Sequence, residues 1–232
     1  MRTPLSKRKL PDYTKGEDIA NMVTHIIGGA IGIAVLVFSV LISVKHNSIW
    51  GIVSGSIFGS SMVLLYAVSA TYHGLKPNYA KKVMQVIDHC MIYFLIGGTY
   101  TPILLSSVRN KDAVVAWSVF GIVWGLSVIG TAFSAIDHKK YAKLEISLYI
   151  AIGWCIVFAL RPTVSAIGKD GFLWLLAGGI AATLIGIACA IVSVLMLKND
   201  GILIQAAVAA ICGLVGVSGI GLIVWASIRL KD

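Results

Sequence analysis

The sequence predicts an all-α, polytopic membrane protein, a bundle of seven transmembrane helices. Three observations carry this. Of the 232 residues, 58% are hydrophobic and only 12% are charged, about half the charged share of a soluble domain. Apolar runs recur from end to end, each of about 20 residues, the length a helix needs to cross the hydrocarbon of a bilayer. The runs are continuous rather than alternating, which fits helices and not barrel strands, and helices pair their backbone groups internally where water is absent.

Residues 1–21 form a polar, basic segment with Arg2, Lys7, Arg8, Lys9 and Lys15. Thr14 and Glu17 have the spacing of a helix capping box, and Glu17 and Asp18 suit the positive end of a helix dipole, so the first helix is expected to start near residue 15. No small-residue cleavage site follows a short apolar core, and the first span is expected to be a retained anchor. The membrane domain covers 22–228, with spans at about 22–44, 49–72, 83–106, 113–134, 145–166, 171–197 and 202–228. Asn199-Asp200-Gly201 separates the sixth from the seventh, Arg161-Pro162 interrupts the fifth near its end, and 229–232 is a C-terminal tail.

Basic residues set the orientation. The N-terminal segment and the links at 73–82, 135–144 and 198–201 carry 12 Lys and Arg, against 7 in the opposite set. The excess places the N-terminus in the cytoplasm and, after seven crossings, the C-terminus outside. The net charge of +9 lies in these links, where it orients the chain and meets anionic headgroups. Membrane lipids are therefore the expected partners, nucleic acid is excluded, and the oligomeric state stays open. Cys90, Cys155, Cys189 and Cys212 fall one to a run with no Cys-x-x-Cys pair, which reads as small buried hydrophobes and no disulfide framework. Gly51, Gly55 and Gly59 share one face of the second helix, Gly28 and Gly32 one face of the first, and Gly121 and Gly125 one face of the fourth. Small residues at this spacing let helices approach closely in lipid, and packing within the chain is the expected use.

Polar side chains gather at one end of this topology. Glu17, Asn21 and His25 lie at i, i+4 and i+8 on the first helix, and Ser69 and His73 at i and i+4 on the second. Asp88 is about five residues into the third helix, roughly 8 Å deep at 1.5 Å per residue. Ionisable groups in such a setting are costly and mark a functional site by default. Histidine with a nearby carboxylate is the material of a zinc centre, where bound water becomes a hydroxide near neutral pH. The alternative reading is polar helix ends satisfied by water and by each other.

Glu17-xxx-Asn21-xx-Thr24-His25, Ser69-xxx-His73, Asp88-His89 and Gly98-Thr99-Tyr100-Thr101-Pro102 together resemble the bacterial hemolysin III proteins. These belong to the progestin and adipoQ receptor (PAQR) superfamily. Tyr149-xxx-Gly153-Trp154 and Ala177-Gly178-Gly179 extend the resemblance more weakly. It implies a seven-helix bundle of a bacterial plasma (cell) membrane with a Zn2+ site near the cytoplasmic face. His73 would be one ligand, Ser69 would sit one turn away, and Asp88 would hold the zinc-bound water, which makes Asp88 and Ser69 the candidate catalytic residues. The family pattern also places a His-xxx-His pair early in the seventh helix. Here residues 139–232 contain no His, and that stretch carries Ala206 and Ala210. His25 and His89 are the candidate replacement ligands. His89 follows Asp88 by about 100° round the helix, so the two facing one centre is the less favoured arrangement. Cys212 is a softer candidate.

Three functions compete. The first is a membrane-homeostasis or lipid-sensing bundle with a degenerate metal site, and not an enzyme. The second is a zinc-dependent hydrolase of lipid amides or esters. The third is a cytolysin or pore-former, as the family name implies. A pore needs a polar stripe along whole helices, and here polarity is confined to one end.

Overall fold

The computed structural model describes residues 3–197, without the side chains of 178, 179 and 181–197. The expected seventh span at 202–228, with Ala206, Ala210 and Cys212, lies outside the described residues. The chain divides into a unit of residues 1–159 and a unit of residues 160–232. The described residues are helical with no strand. Four helical stretches are long and apolar enough to cross a membrane: Lys15–Lys45, Ile49–Gly74, Tyr79–Asn110 and Ala113–Ala177.

Local chemistry sets where each helix starts and stops. The first, α1 (Lys15–Lys45), opens on a complete capping box: Thr14 accepts from the Glu17 backbone while the Glu17 carboxylate takes the Thr14 amide at 2.7 Å. It closes at His46, and Asn47 adopts a left-handed φ of 51°, a conformation Asn tolerates better than most residues. Ser48 then caps α2 (Ile49–Gly74) through the Gly51 amide. Asn78 caps α3 (Tyr79–Pro102) through Lys81, and Asp112 caps α4 (Ala113–Gly153) through Val115.

The glycines explain the packing of α1 on α2. A side chain on Gly59 would meet the Leu36 Cα at 2.5 Å, and one on Gly28 would meet the Tyr66 ring at 2.6 Å. Gly55 and Gly51 face Ser39 and Ser43. These pairings run in opposite directions along the two helices, so α1 and α2 are antiparallel and pack backbone to backbone. Gly121 and Gly125 differ: among the described residues nothing comes within 4 Å of a Cβ built there, so they pack against no described helix.

The Gly-Gly-Thr-Tyr-Thr-Pro stretch of α3 holds the bundle together. Gly98 lies directly on Ser61 of α2, and Gly97 lies under the Trp124 ring of α4. Thr101 accepts from Trp124 Nε1 at 3.2 Å. Pro102 ends the regular helix, and the chain continues as a wider turn at Ile103–Ser107 and a tight one at Val108–Asn110.

The stretch called α4 is two helices that meet at Asp137, which is extended (φ −165°, ψ 87°). Tyr93 of α3 touches both Gly130 and Tyr149, the latter with ring centroids 4.5 Å apart. In a straight helix those two residues would stand about 28 Å apart at 1.5 Å per residue. The chain therefore doubles back at Asp137, inside the link expected at 135–144. A second break falls within the fifth expected span. After Trp154 the chain tightens at Cys155–Ala159, and α5 begins at Leu160 with Pro162 in its first turn (Leu160–Leu197). Proline is tolerated there because first-turn amides have no intrahelical partner. The hydroxyl of Tyr100 bridges the break, donating to the Gly153 carbonyl at 2.7 Å and accepting from the Ile156 amide at 3.1 Å. Within the second unit, Gly168 turns α5 with φ 72° and ψ 172°, a backbone reserved for glycine, in the expected link between the fifth and sixth spans.

Candidate functional site

The polar side chains at the N-terminal end of α1 converge, but around a different carboxylate from the one the sequence singles out. Glu17 is committed to the cap. Asp18, one residue later, points between α2 and α3. Its Oδ1 lies 3.0 Å from Nδ1 of His73 and its Oδ2 lies 2.6 Å from the Lys81 ammonium. Both partners are buried, His73 at 5% and Lys81 at 2% exposure. A lone ammonium at that depth would be unsustainable, and the carboxylate makes it possible.

His25 stacks on His73 with centroids 5.8 Å apart and donates from Nδ1 to the Asn21 carbonyl at 2.5 Å. Because a carbonyl can only accept, a neutral His25 ring carries its lone pair on Nε2. Asn21 thus contributes its backbone oxygen. The Tyr72 ring borders His73 at 4.6 Å and lies 5.4 Å from the Lys81 ammonium. Ser69 is buried one turn before His73, and Asp88 lies within electrostatic reach of His73 and Tyr13.

The N-terminal segment closes this end of the first unit. Thr3 donates its amide to Asp137 at 3.0 Å, Arg8 donates to the carbonyls of Thr3 and Ile136, and Lys82 donates to the Ser6 carbonyl at 2.7 Å. Tyr13 then rests its ring on His73, centroids 5.6 Å apart. Burial pushes the Tyr13 phenol far above its ordinary pKa, and Tyr72, Asp88, Asp18 and Glu17 add to the shift, so it remains a protonated donor.

His89 does not join this group. It faces the α4 side of α3, donating from Nδ1 to the Gln85 carbonyl at 2.7 Å. Its ring centroid lies 3.7 Å from that of His138, whose Nδ1 is 2.8 Å from the Glu145 carboxylate. Glu145 is 2% exposed, and its other oxygen has no hydrogen-bond partner among the described residues. Asp88, buried next to His89 in the chain, lies within electrostatic reach of both polar groups.

Sequence reasoning missed Asp18 and Lys81 as site residues and missed the His138–Glu145 pair. The signals were present. Asp18 and His25 are seven residues apart, as are Lys81 and Asp88, and His138 and Glu145, each pair on one face of a helix.

A zinc centre needs three or four convergent ligands. Among the described residues no three His, Cys, Asp or Glu side chains converge in that way. His73 has its Nδ1 committed to Asp18, and the same carboxylate holds an ammonium, so a dication at His73 would face a buried positive charge. The described residues by themselves fall short of a zinc donor set, and the stretch where the resemblance expects two more ligands lies outside them.

A family model described as Haemolysin-III related matches residues 13–189. The chain belongs to that family. A hemolysin-3 homolog of Bacillus subtilis (strain 168) is 37% identical over 168 residues, 72% of this chain and 78% of that one. Hemolysin-3 of Bacillus cereus is 35% identical over 164 residues, covering 71% and 74%. The human monocyte to macrophage differentiation factor, a PAQR protein, is 26% identical over 210 residues, covering 87% and 79%. No solved structure matches the chain. The match to haemolysin-III-related proteins covers both polar groups, and with the apolar helices it identifies a multi-pass membrane protein of the PAQR superfamily.

Proposed function

We propose that this haemolysin-III-related protein is a seven-helix bundle of a bacterial plasma membrane, N-terminus in the cytoplasm, that responds to the surrounding lipid and contributes to membrane homeostasis without hydrolytic chemistry. The observation that carries the reading is the Asp18 carboxylate shared between His73 and Lys81. Where the resemblance implies a metal on His73, this chain supplies the positive charge from a lysine and lacks the His pair of the seventh helix. An ammonium cannot acidify a bound water as zinc does. What remains is a buried, closely paired polar group joining the ends of α1, α2 and α3, the arrangement of a structural latch.

The helix count rests on the turn-back at Asp137, the Gly168 break and the apolar run at 202–228. The orientation rests on the asymmetry of Lys and Arg. The pore-forming reading gains no support from the buried charged residues, which gather at one end of the helices.

The test is reconstitution of the full chain into vesicles of saturated or unsaturated phosphatidylcholine, with amide exchange followed at residues 15–30 and 65–90. Exchange at that end of the helices should differ at least threefold between the two bilayers. Equal exchange in both, or turnover of a lipid amide or ester that disappears in His73→Ala and Asp88→Asn, would overturn the reading.

A further inference from the structure

The residues that pin the N-terminal segment also leave a groove beside it. Its volume is about 720 Å³, and it is bounded by the segment from Ser6 to Tyr13 on one side and by Pro77, Asn78, Tyr79 and Lys82 on the other. This groove opens where α2 ends and α3 begins, at one boundary of the bilayer whichever way the chain is oriented. Its cationic residues are Lys7, Arg8, Lys9 and Lys82, against Asp12 as the only acidic residue lining it. Arg8 is buried and spent on backbone carbonyls, which fixes the wall. Lys7 and Lys9 stand exposed on either side of it, and among the described residues Lys82 has one hydrogen bond, to Ser6, from an ammonium that can donate three. Tyr79, 62% exposed, and Pro11 and Pro77 give the rim an amphipathic character suited to the headgroup level.

We propose that this groove binds the phosphodiester headgroup of an anionic phospholipid, with Lys7, Lys9 and Lys82 on the phosphate. The proposal rests on the lipid-responsive reading and names the lipid class. Tyr13 connects the groove to the buried polar group. It lines the groove and also packs on His73, so an occupied groove bears directly on the ring that Asp18 holds. The segment carrying the lysines is fastened to the Asp137 turn and to α3, so headgroup binding tightens contacts that already exist.

The full chain in nanodiscs of mixed phosphatidylglycerol and phosphatidylcholine is examined by native mass spectrometry, which counts the lipids retained. The wild type should retain phosphatidylglycerol over phosphatidylcholine. Each lysine removed should lower that preference about fivefold, the worth of one basic residue near an anionic surface, so that Lys7→Gln with Lys9→Gln loses roughly 25-fold. Lys7→Arg with Lys9→Arg should restore it, and Lys111→Gln, at the opposite end of the helices, should leave it unchanged. An unchanged preference in the double glutamine variant, or an equal loss in Lys111→Gln, overturns the proposal. Displacement of the lipid by excess inorganic phosphate would identify a soluble phosphate site and also overturns it. If the groove fails while amide exchange still differs between saturated and unsaturated bilayers, the lipid-responsive reading stands without it.

Discussion

The Asp18 carboxylate of α1 and the Nδ1 of His73 on α2 lie 3.0 Å apart although 55 residues separate them. The second carboxylate oxygen reaches Lys81 of α3 at 2.6 Å, so one side chain ties three helices together at one end. This trio stands where the resemblance implies a metal centre, and it satisfies its own charges.

The ion pair between Asp18 and Lys81 is expected to be structural. Lys81→Met should lower unfolding free energy by about 2–4 kcal/mol, because it strands a mostly buried carboxylate. Adding Asp18→Asn should recover part of that loss. Denaturant unfolding of the two single variants and the double in one detergent gives the coupling between the sites. Additive losses would mean the pair does not hold the helices together.

Tyr100→Phe removes the hydroxyl that serves both sides of the break after Trp154. Two backbone groups lose their partner, at a cost of about 1–3 kcal/mol. Amide exchange should rise locally at residues 153–158 and stay unchanged in α1 and α2. An increase spread evenly over the chain would show that the hydroxyl has no local role.

Two glycine substitutions should separate sharply. In Gly59→Ala the new methyl meets the Leu36 backbone at 2.5 Å, so α1 and α2 must part, at a cost of about 1–3 kcal/mol. Gly121→Ala meets nothing within 4 Å among the described residues and should be neutral or slightly stabilising through helix propensity. Thermal unfolding of both variants checks the contrast, and similar shifts would contradict the packing described here.

Sequence chemistry that acts within a few residues was legible. Thr14 and Glu17 read as a capping box and form one, the family motifs pointed to haemolysin-III-related proteins, and the buried His73 was singled out. Rotation of a helix about its own axis was not legible. Periodicity placed Glu17, Asn21 and His25 on one face, yet Glu17 turned to the cap and its neighbour Asp18 entered the bundle. The angle of about 100° between Asp88 and His89 on α3 made a shared centre the less favoured arrangement, and His89 meets His138; which partner it would meet was not legible, because His138 lies on α4, far away in sequence. The Gly-Thr-Tyr-Thr-Pro motif carried the resemblance, but its packing role was not legible, because what Gly98 and Tyr100 touch lies on Ser61, Gly153 and Ile156, far away in sequence.

The most direct measurement is metal content by elemental mass spectrometry on full-length protein purified gently without chelator, beside His73→Ala. No stoichiometric metal is expected in either sample, because Lys81 already supplies the charge beside Asp18 and His73. Near one zinc per chain in the wild type, lost in His73→Ala, would contradict this and restore the hydrolytic reading built on His73 and Asp88.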